Sequence, residues 1–197
     1  GTYSTVPESG GGWTWTDLRR INTVLSRMDT CEDEKVRAEY EALARFFRAF
    51  FYYEKVKLFG DVPWIDEELA SDSEKLYAPR NSREFIMQKM LADVDFAIAN
   101  LPAGVSTFRV NRWAALALKS QFCLFEGTFR KYHSLNITPD AAGVETVHDY
   151  KFYLEEAAKA VSACGEYADK PEAIIDQIDA GCGKITMSLR LPDDLYF

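Results

Sequence analysis

The sequence predicts an all-α protein. Three observations carry that expectation. Apolar residues recur at three- and four-residue steps through most of the chain, and turn signals such as Gly60-Asp61-Val62-Pro63 separate those stretches. Strand-like alternation is confined to a weak run at Lys184 to Leu191. With 197 residues, 47% of them hydrophobic and 14% aromatic, the chain is globular and long enough to bury a substantial core.

A Gly/Ser/Pro-rich opening ends at Gly12, and the first helix is expected from Thr14 or Thr16 to Met28. Its residues Leu18, Ile21, Leu25 and Met28 would form one buried stripe. The second helix, from about Glu32 to Phe59, is dense in rings: Tyr40, Phe46, Phe47, Phe50, Phe51, Tyr52, Tyr53 and Phe59. Gly60 supplies its end and Pro63 forbids continuation. Rings on more than one side require covering neighbours on more than one side, so Phe46, Phe47, Phe50, Phe51 and Tyr53 are expected in the core. Arg45 and Arg48 flank them, with a structural role expected at a helix interface, on rings and carboxylates.

An acidic loop follows over 60–78. Asn81 with Glu84 makes a capping-box-like start for a third helix, whose Ile86, Met90, Val94 and Ile98 step by four until Leu101-Pro102 ends it. Asn111 is the expected N-cap of a fourth helix to about Arg130, where Ala114, Ala115 and Ala117 favour close approach and Gly127 weakens the helix locally. After a loop over 134–148, a fifth helix is expected from Asp149 to Ala163, with Leu154, Ala157, Ala158 and Val161 inside and Gly165 closing it. A short apolar helix opened by Pro171 and ended by Gly181 follows. Antiparallel pairs joined by loops of variable length suit an irregular tetratricopeptide-like stack, since no regular 34-residue period is visible.

Several stretches also carry a resemblance. Ala44-Arg45-Phe46-Phe47-Arg48-Ala49-Phe50, then Tyr53, then Phe59-Gly60-Asp61-Val62-Pro63 resembles the signature of the RagB/SusD family. Trp15 to Asn22, Pro79-Arg80-Asn81-Ser82, Asp93 to Pro102, Ala114 to Lys119 and Glu126 to His133 resemble further family segments in the same order, over roughly residues 13 to 167. The resemblance implies a SusD-like helical scaffold over 1–170, with 171–197 poorly matched and beginning the remainder of a longer protein. It also implies a nutrient-binding lipoprotein of the Bacteroidetes outer-membrane surface, which captures a ligand, glycan-type by family frequency, for a SusC-like TonB-dependent transporter. The signal segment and lipid-carrying cysteine of such a protein would lie outside this chain, as would much of any glycan site.

The residues themselves exclude other classes. A net charge of −8 with no basic stripe argues against nucleic acid and against a polybasic membrane contact. His133 and His148, the two histidines, lie in no HExxH pair and near no GxSxG elbow, and neither a P-loop nor a GxGxxG appears. His133 is expected as a helix-end residue. With 31 acidic residues a chance carboxylate pair is always at hand, so none argues for glycosidase work. Cys123 is expected as a buried small hydrophobe, while Cys164 and Cys182 have no spacing that requires a disulfide. The expectation is a non-enzyme without metal or cofactor.

Sugar binding needs flat rings for the C–H face of a pyranose and polar groups for its hydroxyls. The candidates are rings in loops. Trp13 and Trp15 stand where the glycine-rich loop meets the first helix, with Tyr3 nearby, and both ligand contact and packing remain open for the two tryptophans. Trp64 and Tyr77 are expected as core or loop anchors. The competing reading is a helical-repeat module that binds a protein partner and no small ligand.

Overall fold

The computed structural model describes residues 10–70, 72–103, 109–133 and 147–163. Five α-helices run through them: α1 (Thr16–Leu25), α2 (Glu34–Phe59), α3 (Arg83–Asn100), α4 (Arg112–His133) and α5 (Tyr150–Ser162). Short 3-10 turns occupy Met28–Thr30 and Glu74–Tyr77. Among the described residues the sole strand-like pairing is an isolated bridge between Val62 and Asn81. No helix there is long and apolar enough to cross a membrane. The Pro171 helix, the Gly165 stop, the Cys164 and Cys182 thiols, the Lys184–Leu191 run and the 171–197 segment lie outside the described residues.

Side-chain caps start α2, α3, α4 and α5. Asp33 accepts from the amides of Lys35 and Val36 to start α2, and Gly60, at φ +71°, ends it. Asn111 caps α4 as expected, accepting from the Ala114 amide at 3.0 Å, and Asp149 does the same for α5 through Phe152. At α3 the expectation fails by one residue. Ser82, not Asn81, accepts from the Phe85 amide, because the Asn81 side-chain Oδ1 already accepts from the Trp64 backbone N–H at 2.8 Å.

Consecutive helices pack on one another, α1 on α2, α2 on α3, α3 on α4 and α4 on α5. Arg83 at the start of α3 reaches the Val56 carbonyl near the end of α2, while Arg48, earlier in α2, bonds Asp93, later in α3. Partners run in opposite directions again across α3 and α4, with Arg83 on Glu126 and Asp95 on Lys119. The stack is therefore antiparallel, as the pattern predicted. Its core holds Ile86, Met90 and Val94 from α3, Ala115 and Phe122 from α4, and Leu154, Ala157, Ala158 and Val161 from α5. Cys123 is fully buried, and burial pushes its thiol well up from the ordinary value. In α1 only Leu18 of the expected stripe is buried.

Two expectations about packing are corrected. Phe46 and Tyr53 are core, but Phe47 and Phe50 are 43% and 45% exposed. They continue an outward row with Val36, Tyr40 and Leu58 along α2, because α1 and α3 cover only part of its circumference. Gly127 does not merely weaken α4. A Cβ there would sit 2.6 Å from Leu154 Cδ2, so the missing side chain lets α5 approach.

Charged side chains tie the interfaces together. Arg48 makes two bonds to Asp93, at 2.6 and 2.7 Å, and its guanidinium also lies over the Trp64 ring, while Arg45 stacks on Phe96. This is the structural role expected of both arginines. Glu126, with no exposed surface, accepts from Arg83 of α3 and from Arg130 one turn along α4. Arg130 reaches on to Glu84 of α3 and to the His148 carbonyl before α5. Burial alone would raise the Glu84 carboxyl, yet the Gln88 amide, the Arg130 guanidinium and His148 together hold it below its ordinary value. Lys119 of α4 bridges Asp95 of α3 and Glu156 of α5.

Replacing Glu126 by Ala leaves two buried guanidiniums without their shared anion, and a loss of about 3–5 kcal/mol is expected by chemical denaturation. Because the Glu84 pKa is depressed on folding, its contribution is complete above the ordinary 4.5 and is lost as pH falls through the lowered folded value. Thermal melts from pH 7 to pH 3 should show that acid limb, and Glu84→Gln should flatten it while lowering stability at pH 7.

Candidate functional site: an aromatic corner between α1 and α2

The corner is built by a glycine turn pressed on the end of α2. Gly10, Gly11 and Gly12 all have positive φ, +82°, +46° and +82°, a path open to glycine and strained for other residues. The Trp13 amide donates to the Gly10 carbonyl at 2.7 Å and Thr14 to Gly12 at 2.9 Å, so the turn closes just before α1. Gly12 lies against Leu58 and Phe59. From below, the buried Lys55 ammonium donates to the Gly12 carbonyl at 2.5 Å and lies over the Phe51 ring at 4.9 Å. Burial lowers its pKa, with Asp17 offsetting part of the effect.

This arrangement brings Trp13 and Trp15 together. Their rings meet edge to face at 5.0 Å, and Trp13 meets Phe59 the same way at 4.8 Å. Trp15 is half-buried and leans on Phe51 and Tyr52 at 5.6 and 6.3 Å, so it anchors α1 to α2. Trp13 is 38% exposed, with the Arg80 guanidinium 4.9 Å from its ring centre. The corner thus offers a rigid, partly open ring beside a cation that carries five N–H donors.

The other sequence candidates fall elsewhere. Trp64 is an anchor as expected, stacked on Tyr52 at 4.4 Å with its indole N–H donating to Asp66. Tyr77, expected as an anchor, is 89% exposed, because the 3-10 turn carrying it projects away from the stack. Tyr3 lies outside the described residues. His133 ends α4 against Phe129, as expected, and His148 bonds Glu84 at 2.7 Å. Sequence reasoning missed Lys55, Phe59 and Arg80 as partners in the corner. A lysine inside an otherwise aromatic helix turn was the available signal for the first. Among the described residues no group of three or more metal-ligating side chains converges.

Removing the Trp15 ring should cost about 2–3 kcal/mol of stability. Removing the Trp13 ring should cost about 1 kcal/mol, the value of its edge contacts. Urea titrations of Trp15→Ala and Trp13→Ala measure the difference.

Comparison with known proteins agrees with the helical fold. Residues 14–124, more than half of the chain, match the SusD-like family described as "starch-binding associating with outer membrane". The chain is 25% identical over 122 residues to SusD-like protein P25 of Formosa agariphila, covering 57% of this chain and 23% of that one. It is similar in fold, at 20% identity and a TM-score of 0.57, to a solved structure described as a laminarin-binding SusD-like protein, over 75% of this chain and 27% of that one. A solved structure with a xylogluco-oligosaccharide gives a TM-score of 0.59 at 22% identity, over 82% and 29% of the two chains. The chain spans under a quarter of the length of the curated relatives it matches.

Proposed function

The chain belongs to the SusD-like family, and from that premise we propose that it is part of a glycan-binding protein of the outer-membrane surface. It holds an oligosaccharide without breaking bonds and passes it to a SusC-like TonB-dependent transporter. The protein would be a surface lipoprotein. Trp13 and Trp15 are its proposed ligand contacts here, Trp13 by touching sugar and Trp15 by fixing Trp13 in place.

One observation carries the reading. A partly exposed indole is locked by two edge-on rings beside a guanidinium. A pyranose presents an apolar C–H face and a rim of hydroxyls, which such a pair meets with one flat surface and several donors. Holding the ring in place before binding removes an ordering cost that the ligand would otherwise bear. Two fold relatives, one described as laminarin-binding and one solved with a xylogluco-oligosaccharide, support a glycan as ligand. Hand-over to a transporter rests on the family resemblance.

A second reading, a helical-repeat module that binds a protein partner, is favoured by the outward apolar row on α2. Calorimetry separates the two. Laminari- or xylogluco-oligosaccharides should bind the chain, Trp13→Ala should weaken them at least roughly tenfold, and chromatography should find the sugar intact afterwards. Absence of binding to every oligosaccharide, with capture of a protein through Phe47 and Phe50, would favour the second reading.

A further inference from the structure

Beside the corner lies a hollow of about 300 Å³ between the 63–69 loop and the Lys75–Asn81 segment. That is the lower end of the range for small-ligand sites, enough for a single ring rather than a polymer. Pro63, Trp64, Ala78 and Pro79 give it an apolar wall, and Asp66, Glu67, Lys75 and Asn81 line it with polar groups.

Its loop wall is held in shape from behind. Asn22 of α1, 1% exposed, donates to the carbonyls of Ile65 and Glu67, both at 3.0 Å. The buried Tyr52 hydroxyl accepts from the Ile65 amide at 2.7 Å and donates to the Pro63 carbonyl at 3.2 Å. Asn81 accepts from the Trp64 amide through Oδ1. Three polar side chains are thus committed to the backbone of one surface loop, a degree of pre-shaping that a passive connection does not need. With Oδ1 engaged, the Asn81 amide plane is fixed and its NH2 has no partner among the described residues, so two donors remain at the hollow. Asp66, oriented by the Trp64 indole N–H, supplies acceptors, and Glu67 pairs with Lys75.

The hollow and the corner are joined by one tripeptide. Arg80 lies on the Trp13 ring, while its neighbours Pro79 and Asn81 line the hollow. We propose that this hollow is a second subsite, holding one neutral pyranose residue of the same oligosaccharide whose other end lies on Trp13. The inference rests on the glycan-binding reading above. Neutrality follows from the lining. Two carboxylates face one ammonium, so a uronate or sulfated residue meets net repulsion, while a hydroxyl, both donor and acceptor, satisfies Asn81 and Asp66 together.

The test is calorimetry on the full chain with neutral β-1,3-gluco-oligosaccharides of increasing length and with oligo-uronates. Asn81→Asp keeps the acceptor for the Trp64 amide but replaces the donors with charge. It should weaken the longer neutral oligosaccharides roughly tenfold with little change in melting temperature. Ala78→Trp, which fills the hollow from its exposed rim, should do the same, and both should leave disaccharide binding unchanged. The subsite is overturned if both variants bind within twofold of the native chain while Trp13→Ala abolishes binding, which would leave the corner alone as the site. Equal affinity for oligo-uronates would also overturn it. If the native chain binds none of these sugars, the glycan reading itself falls, and the subsite with it.

Discussion

The stack depends on a shared buried anion. Glu126 is sealed from water between Arg83 of α3 and Arg130 of its own helix. Through Arg130 the link extends to Glu84 and to the backbone ahead of α5. Apolar contacts among Ile86, Met90, Phe122 and Leu154 are tolerant of small slips, because oily surfaces attract in any register. A carboxylate that must meet two guanidiniums is not tolerant, since each misalignment strands a desolvated charge. The apolar core therefore supplies the attraction between α3, α4 and α5, and the charges fix which turn faces which. Arg48 with Asp93 plays the same part between α2 and α3, and Lys119 between its two acids.

The aromatic helix works differently at its two ends. At its middle, Phe46, Tyr52 and Tyr53 fill the interior. At its C-terminal end, Lys55, Leu58 and Phe59 receive the glycine turn. The same helix thus makes the core and sets the height at which Trp13 stands. The corner sits on a rigid element although Trp13 is itself in a loop.

Much of this was legible in the sequence. Period and punctuation gave five helices close to their observed bounds, and Asn111 and Asp149 announced their caps because short polar side chains beside an apolar period have few other uses. What was not legible came from partners far along the chain. Asn81 looked like a cap, but the Trp64 amide, distant in sequence, engages its side-chain Oδ1. Phe47 and Phe50 share the period of the buried rings, and ring density says nothing about which sides of α2 the neighbours occupy. The ion network had a local signal, glutamate and arginine four apart at 126 and 130 in an apolar helix. Its partner on α3 needed three dimensions. In the corner, Trp13 and Trp15 were visible as loop rings, whereas Arg80 arrives from the far side of the acidic loop.

Gly127 shows how sharply the scaffold separates what is free to vary from what is not. Since only a hydrogen fits between α4 and the Leu154 side chain, the gap between the last two helices is set by backbone against side chain and has no adjustable spacer. New recognition surfaces cannot be produced by prying that pair apart. The connecting segments remain open to change, such as the Leu76–Ala78 turn, where a ring can be exchanged without disturbing any helix beneath it.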